Sequence, residues 1–125
     1  MNRILIADDE PHVLRVLKMS LEREGYEVEV CGNGREALDR IKVKQPDVLI
    51  TDIQMPLMDG EELCRNISQN VPDREFLIFV LTSRTEIEHR EWTRQLDNIQ
   101  FLEKPVSIRD LTDKLAQYRG GQAAG

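Results

Sequence analysis

Five short apolar runs alternate along the chain with segments in which apolar residues recur at helical spacing. Such alternation is typical of βαβ units, whose crossovers build a parallel sheet with helices on both faces. The second run alternates apolar and charged residues, as an edge strand does, whereas the first, third and fourth are apolar on both faces and suit the middle. The sequence therefore predicts an α/β fold, a doubly wound five-stranded parallel sheet in the order 2-1-3-4-5. The runs centre on Ile4, Val28, Leu49, Ile78 and Phe101.

The helix boundaries follow from capping and breaking residues. Pro11 suits the first turn of the first helix, and Gly25 suits its end. A less obvious fourth helix is predicted over roughly residues 85–96, and Asn98 can take the left-handed turn that follows it. Its inner face would hold Thr85, His89, Trp92 and Leu96, and its outer face Ile87, Arg90 and Arg94. We expect one domain over residues 1–119 and a flexible tail or linker stub over residues 120–125.

Charge and composition narrow the class of protein. A net charge of −6 over 125 residues argues against a nucleic-acid surface, which needs clustered Lys and Arg. No apolar run approaches the ~20 residues that span a bilayer, and the N-terminal residues do not resemble a signal peptide. Cys31 and Cys64 show no metal or redox spacing, which predicts reduced thiols. These features predict a cytoplasmic protein without direct contacts to membrane or nucleic acid.

Polar residues follow four of the predicted strands. Asp8 and Asp9 come after the first strand, Asp52 ends the third, and Thr82 and Lys104 follow the fourth and fifth. The carboxyl ends of parallel strands share one edge of the sheet, so we expect these side chains to meet there. Three neighbouring carboxylates repel one another unless a cation joins them, and few carboxylates plus water suit Mg²⁺ better than Ca²⁺.

This combination of groups is suited to accepting a phosphoryl group. Asp52 would attack in line, while Mg²⁺ and Lys104 offset charge on the equatorial oxygens. Each residue also has an ordinary explanation: the first two acids could cap a helix, and Lys104 could be a surface charge. All of these residues are expected at the carboxyl ends of strands, and their chemical groups complement one another. This favours a phosphoryl site over the separate ordinary explanations. A cis bond before Pro105 would aim Lys104 back over the sheet.

With these residues in place, the chain resembles the receiver domain of two-component response regulators. The resemblance covers residues 2 to about 119 and depends on the acidic pair after the first strand, the sequence DIQMPLMDG from Asp52, Thr82, and Lys104 followed by Pro105. It implies a flavodoxin-like fold with Asp52 as the phosphoacceptor. The Mg²⁺ ligands that it implies are Asp8, Asp9, Asp52 and the backbone carbonyl of Gln54.

The resemblance also assigns helper and switch residues. The amides of Ile53 and Ser83 would assist in binding the phosphoryl oxygens, and Thr82 with Phe101 would form the switch. Phe101 lacks the hydroxyl of the commoner Tyr, so such a switch would work through packing alone. A separate hypothesis comes from position alone: Gln54 and Arg84 lie two residues beyond Asp52 and Thr82 and would flank the path of an attacking water. We expect the long, cationic Arg84 to cover part of the acyl phosphate and to slow its hydrolysis. Further departures from the family pattern are Asp97-Asn98 for Gly-Ala, Val106 for Phe, and the large Trp92.

The function that the resemblance implies is signal relay. A sensor histidine kinase or phosphotransfer protein would donate the phosphoryl group from a phosphohistidine. The fourth predicted helix, the fifth strand and the last helix would then present a changed surface to an output domain or downstream protein, and a dimer that forms on phosphorylation is compatible with this scheme. The domain would be no enzyme in the ordinary sense, since it would catalyse only its own phosphorylation and slow dephosphorylation.

Two other classes of protein fit less well. A phosphatase of the haloacid dehalogenase kind usually carries its nucleophile after the first strand in an Asp-x-Asp pattern, which this chain lacks, and it usually has a cap domain. A flavodoxin-type FMN binder needs a Ser/Thr/Gly-rich loop after the first strand, where Asp8, Asp9 and Glu10 would repel the phosphate. A receiver that has lost phosphorylation is disfavoured because all five chemical positions are filled.

Overall fold

The computed structural model describes residues 3–83 and 98–124. The described elements, numbered in chain order, are β1 (Arg3–Ala7), α1 (Pro11–Arg23), β2 (Glu27–Cys31), α2 (Gly34–Val43), β3 (Val48–Asp52), α3 (Gly60–Asn70), β4 (Leu77–Thr82), β5 (Ile99–Glu103) and α4 (Ile108–Ala124). The helix predicted over residues 85–96 lies outside the described residues, and so do Arg84, Asp97 and the Trp92 side chain.

The five strands form one parallel sheet in the order β2-β1-β3-β4-β5, which confirms the predicted topology. Every residue of β1, β3 and β4 is buried, as their continuous apolar sequences predict. Strand β2 lies at one edge, and its first residue, Glu27, is exposed. Strand β5 forms the other edge and is only partly buried. Full burial of both faces is what places the middle strands in the middle.

The sheet separates two apolar cores, because successive side chains of a strand point to opposite faces. Ile4 and Ile6 of β1 lie in the core beneath α1 and α4. Leu5 and Ala7 lie in the core beneath α2 and α3. Each fully buried aliphatic side chain contributes about 1.5–3 kcal/mol to folding, so both faces hold the strand ends firmly in place.

The residues at the ends of the helices and strands mostly have the conformations that the sequence predicts. Gly25 (φ 94°) ends α1 and Asn98 (φ 55°) precedes β5, both in the left-handed region that was expected. The helix α4 continues to Ala124, although Gly120 and Gly121 predict a tail. Glycine lowers helix stability by about 1 kcal/mol relative to alanine but does not forbid a helix, and the neighbouring alanines favour it. The domain boundary at residue 119 stays a prediction.

Within the described ranges, no helix has the length and apolar character needed to cross a membrane.

Candidate functional site

The predicted polar residues do gather at the carboxyl edge of the sheet. Asp8 directly follows β1, Asp52 and Thr82 are the last residues of β3 and β4, and Lys104 directly follows β5. The register places Asp52 opposite Leu81, one residue before Thr82. Asp8 and Thr82 are 0% exposed and Asp52 is 4% exposed. Buried polar groups of this kind need partners, so their contacts define the site.

One oxygen of the Asp52 carboxylate contacts two donor groups. Lys104 Nζ lies 2.7 Å from Asp52 Oδ1, and the Ile53 amide donates to the same oxygen at 2.8 Å. The Thr51 hydroxyl donates to the Asp52 carbonyl at 2.8 Å and restrains the main chain. Both contacts of the carboxylate with described residues therefore fall on Oδ1.

Lys104 keeps its charge in this setting. Burial acts to lower the pKa of Lys104, but the hydrogen bond and charge of Asp52, with the charges of Asp8 and Glu10, outweigh it and raise the pKa. The amide of Lys104 donates to the Thr82 carbonyl at 2.8 Å, which ties the ends of β4 and β5 together. The peptide bond between Lys104 and Pro105 is cis, as the sequence allowed.

Asp8 is buried with one oxygen unpartnered. Its Oδ1 accepts the Glu10 amide at 2.9 Å, whereas Oδ2 is inaccessible and has no hydrogen-bond partner among the described residues. Burial raises the pKa of Asp8, the Glu10 amide opposes this, and the charge of Asp52 raises it further. A buried ionised oxygen without a partner is unfavourable by about 1–3 kcal/mol or more, and a bound cation would remove that cost.

The residues present fit a divalent cation. Ligand atoms of Asp8, Asp9 and Glu10 lie within 4.8 Å of one another, and the latter two side chains are exposed. Among the described residues, the side chain of Glu10, the N-cap residue of α1, makes no capping hydrogen bond. Sequence reasoning named the first two acids and missed Glu10, although the third acid in the run ADDE was a usable signal. Asp52 is not in this cluster, and its Oδ1 contacts Lys104.

A tight loop from Ile53 to Asp59 connects the end of β3 to α3. The Gly60 amide donates to the Ile53 carbonyl at 2.6 Å, and Asp59 caps α3 by accepting the Glu62 amide at 2.8 Å. A Cβ at Gly60 would overlap the Asp52 carbonyl oxygen and lie 2.8 Å from the Ile53 Cα. Only glycine allows this approach, so Gly60 helps to set the main-chain path of the acceptor residue.

The predicted switch residues lie on neighbouring strands. The Thr82 hydroxyl donates to the Ser83 carbonyl at 3.1 Å. Phe101 pairs with Val80 across β4 and β5 and is partly buried against the core on the α2–α3 side. An apolar groove of about 450 Å³ opens beside the site, and Lys104 contributes to its wall. The walls also include Val13, Val16 and Leu17 of α1 together with Pro105 and Val106.

The sequence matches the family described as the response regulator receiver domain over residues 4–116. It is 36% identical over 113 residues to response regulator MprA of Mycolicibacterium vanbaalenii, covering 90% of this chain and 48% of that protein. It is 31% identical over 113 residues to PhoP of Bacillus subtilis, an alkaline phosphatase synthesis transcriptional regulatory protein, with 90% and 46% covered. The chain thus spans about half the length of these curated relatives.

Solved structures show the same fold. The chemotaxis response regulator CheY4 of Vibrio cholerae superposes with a TM-score of 0.83 at 29% identity, over 94% of this chain and 98% of that one. A CheY-like receiver domain protein from Methanospirillum hungatei gives a TM-score of 0.86 at 30% identity, over 99% and 98%. These similarities and the parallel sheet agree on a flavodoxin-like architecture.

Proposed function

The chain belongs to the response regulator receiver family, and on that premise we propose that Asp52 accepts a phosphoryl group from a phosphohistidine. The donor would be a sensor histidine kinase or a phosphotransfer protein. The main support for this proposal is the contact of 2.7 Å between Lys104 Nζ and Asp52 Oδ1 at the buried carboxyl edge of the sheet. A lysine that stays charged beside a carboxylate prepares that edge for the negative charge of a phosphoryl group.

The transfer would use the second oxygen of Asp52. Oδ2 attacks phosphorus, the new O–P bond forms as the N–P bond of the phosphohistidine breaks, and the imidazole leaves with the electron pair. Lys104 then donates to a phosphoryl oxygen, and the Thr82 hydroxyl rotates away from the Ser83 carbonyl to donate as well. The amides of Ile53 and Ser83 are the remaining donors in this scheme.

Mg²⁺ fits the acidic part of the site. The ion would be held by Asp8, Asp9, Asp52 and the Gln54 carbonyl. Glu10 lies in the same acidic cluster and would add a ligand directly or through water. The ion supplies positive charge that offsets the charge on the equatorial oxygens. The unpartnered Oδ2 of Asp8 supports this assignment, because a cation gives that oxygen the partner it lacks.

The relay role follows from the same chemistry. Hydrolysis of the acyl phosphate by water returns Asp52 to its carboxylate, so the domain catalyses its own phosphorylation and slow dephosphorylation without a separate substrate. Movement of Thr82 toward the phosphoryl group would open space for Phe101 to repack. The predicted helix over residues 85–96, β5 and α4 would then present a changed surface to an output domain or downstream protein.

The setting of this relay is also part of the proposal. We place the domain in the cytoplasm, which the free and buried thiols of Cys31 and Cys64 support. The net charge of −6 supports an output through protein contacts rather than direct nucleic-acid binding. The phosphatase alternative has no observation in its favour now that the family is known.

Phosphorylation with a small acyl-phosphate donor tests the proposal. Intact-mass measurement should show one added phosphate that requires Mg²⁺, and Asp52→Asn should abolish it. Asp59→Asn is the matched control, because it makes the same change at the far end of the loop that follows Asp52, while its amide oxygen can still cap α3. Undiminished labelling of Asp52→Asn would disprove the assignment of the acceptor.

A further inference from the structure

The loop between β3 and α3 contacts the first residue of α2. The Gly34 amide donates to the Met58 carbonyl at 2.9 Å. A Cβ at Gly34 would overlap that carbonyl oxygen, and it would lie 3.0 Å from the Met58 carbonyl carbon and 3.1 Å from the Met58 Cβ. The hydrogen bond and the close approach concern the same peptide group. A side chain at position 34 would therefore push the loop and α2 apart.

Ile53, Met55 and Met58 of the loop also pack against the core on the α2–α3 side. Among the described residues, the other hydrogen bonds of the loop are made with its own neighbours in sequence. Gly60 holds the Ile53 carbonyl, and the Met58 amide donates to the Pro56 carbonyl at 2.7 Å in a turn centred on Leu57 (φ 66°). Such a turn is strained for a side chain of this size, so the loop needs outside support to keep its shape. Gly34 provides that support from an element distant in sequence.

The supported loop carries groups of the proposed site. The Ile53 amide, at its start, donates to Asp52 Oδ1, and the Gln54 carbonyl is a proposed Mg²⁺ ligand. Because Mg²⁺ demands near-ideal octahedral geometry, a small shift of this loop changes its affinity. We infer that Gly34 is a positioning residue for the metal site, acting through Met58. The inference rests on the proposed function.

The chain offers a matched control two residues away. A Cβ at Gly32 would meet nothing within 4 Å, and the backbone there is not left-handed. Gly32→Ala and Gly34→Ala thus add the same methyl group, one into open space and one against the loop. Alanine also raises helix propensity at position 34, so a stability change alone would not distinguish a positioning role.

Calorimetric titration with Mg²⁺ provides the distinguishing measurement. We expect Gly34→Ala to bind Mg²⁺ about tenfold more weakly, which is typical when the support of a metal ligand is lost. Gly32→Ala should match wild type. Urea unfolding in EDTA would show that the variants remain folded during the comparison. Equal Mg²⁺ affinity in wild type and Gly34→Ala overturns the inference while leaving the proposed function intact.

A measurement on the unaltered chain covers the case in which Gly34→Ala does not fold. Coupling is reciprocal, so saturating Mg²⁺ should slow hydrogen exchange of the Gly34 amide by about the same tenfold factor. The Lys44 amide, which donates to Arg40 at the other end of α2, serves as the control. Unchanged exchange at Gly34 overturns the inference. Absence of any Mg²⁺ binding by wild type would instead overturn the proposed metal site, and this inference with it.

Discussion

The two ends of β1 differ in whether their buried charged groups have hydrogen-bond partners. At the amino end, the Arg3 guanidinium donates to the Lys44 carbonyl and to Glu29, both at 3.0 Å. The Arg3 amide donates to Asp47 at 2.8 Å. At the carboxyl end, Asp8 is fully buried and its Oδ2 has no partner among the described residues. The charged groups at the amino end therefore have partners, whereas the carboxyl end has one buried carboxylate oxygen without a partner among the described residues.

The same contrast is visible in the acidity of two carboxyl groups. The hydrogen bond from Arg3 lowers the pKa of Glu29 against the opposing effect of burial, and the charges of Arg3 and Arg40 lower it further. Burial instead raises the pKa of Asp8. A carboxylate with cationic partners is stabilised in its charged form, whereas a buried one without them is not. The buried, partly unpartnered carboxylate at the carboxyl edge thus has a cost in folding free energy, which the rest of the sheet offsets.

The largest expected effect comes from neutralising Asp8. Asp8→Asn should weaken Mg²⁺ binding about a hundredfold, since the loss of a direct ligand should match or exceed the loss of an outer-shell partner. In EDTA, the same change should raise the free energy of unfolding by about 1 kcal/mol, because a buried unpartnered charge is removed. Calorimetry and urea unfolding measure the two effects.

Asp47→Asn is the control for this prediction at the other end of the sheet. It replaces the carboxylate that accepts the Arg3 amide with a neutral amide oxygen, which weakens a charge-assisted hydrogen bond, so it should lower stability and leave Mg²⁺ binding unchanged. If Asp8→Asn destabilises the chain in EDTA as well, the two ends of β1 do not differ in the way described.

The next effect in size concerns Arg3 itself. Arg3→Met keeps an unbranched side chain but removes the guanidinium that contacts the Lys44 carbonyl and Glu29. Glu29 keeps its second guanidinium partner, Arg40, at 3.4 Å. We expect a loss of about 2 kcal/mol in the free energy of unfolding, less than for a fully buried pair because Glu29 is partly exposed. Mg²⁺ affinity measured in the same preparation should not change. A parallel loss of Mg²⁺ affinity would show that the two ends are coupled.

The smallest effect is a dependence on pH at the amino end. The pKa of Glu29 is lowered in the folded chain, so its contribution to stability is present above its unfolded pKa of about 4.5 and is lost as the pH falls through the lower folded value. Glu29→Gln should cost less than about 1 kcal/mol at neutral pH, because the side chain is more than a third exposed. Urea unfolding as a function of pH should show wild type and variant converging in acid. Parallel curves down to the most acidic pH would contradict this account.

The local pattern of the sequence predicted much of the candidate site. Apolar runs without alternation placed β1, β3 and β4 in the middle of the sheet, and the polar residues after them were therefore expected at one edge. Asn98 was expected in a left-handed turn, and it has that conformation. The last helix runs to Ala124, and the domain boundary at residue 119 stays a prediction.

The sequence alone determined the sheet order and the edge at which Asp8, Asp52, Thr82 and Lys104 meet, because periodicity is local and parallel strands must share their carboxyl edge. Tertiary structure decided which oxygen is left without a partner and that Gly34 contacts the loop after Asp52. These outcomes depend on small distances between segments far apart in the chain. No local pattern encodes them, since they arise only when the packed elements set the positions of one another.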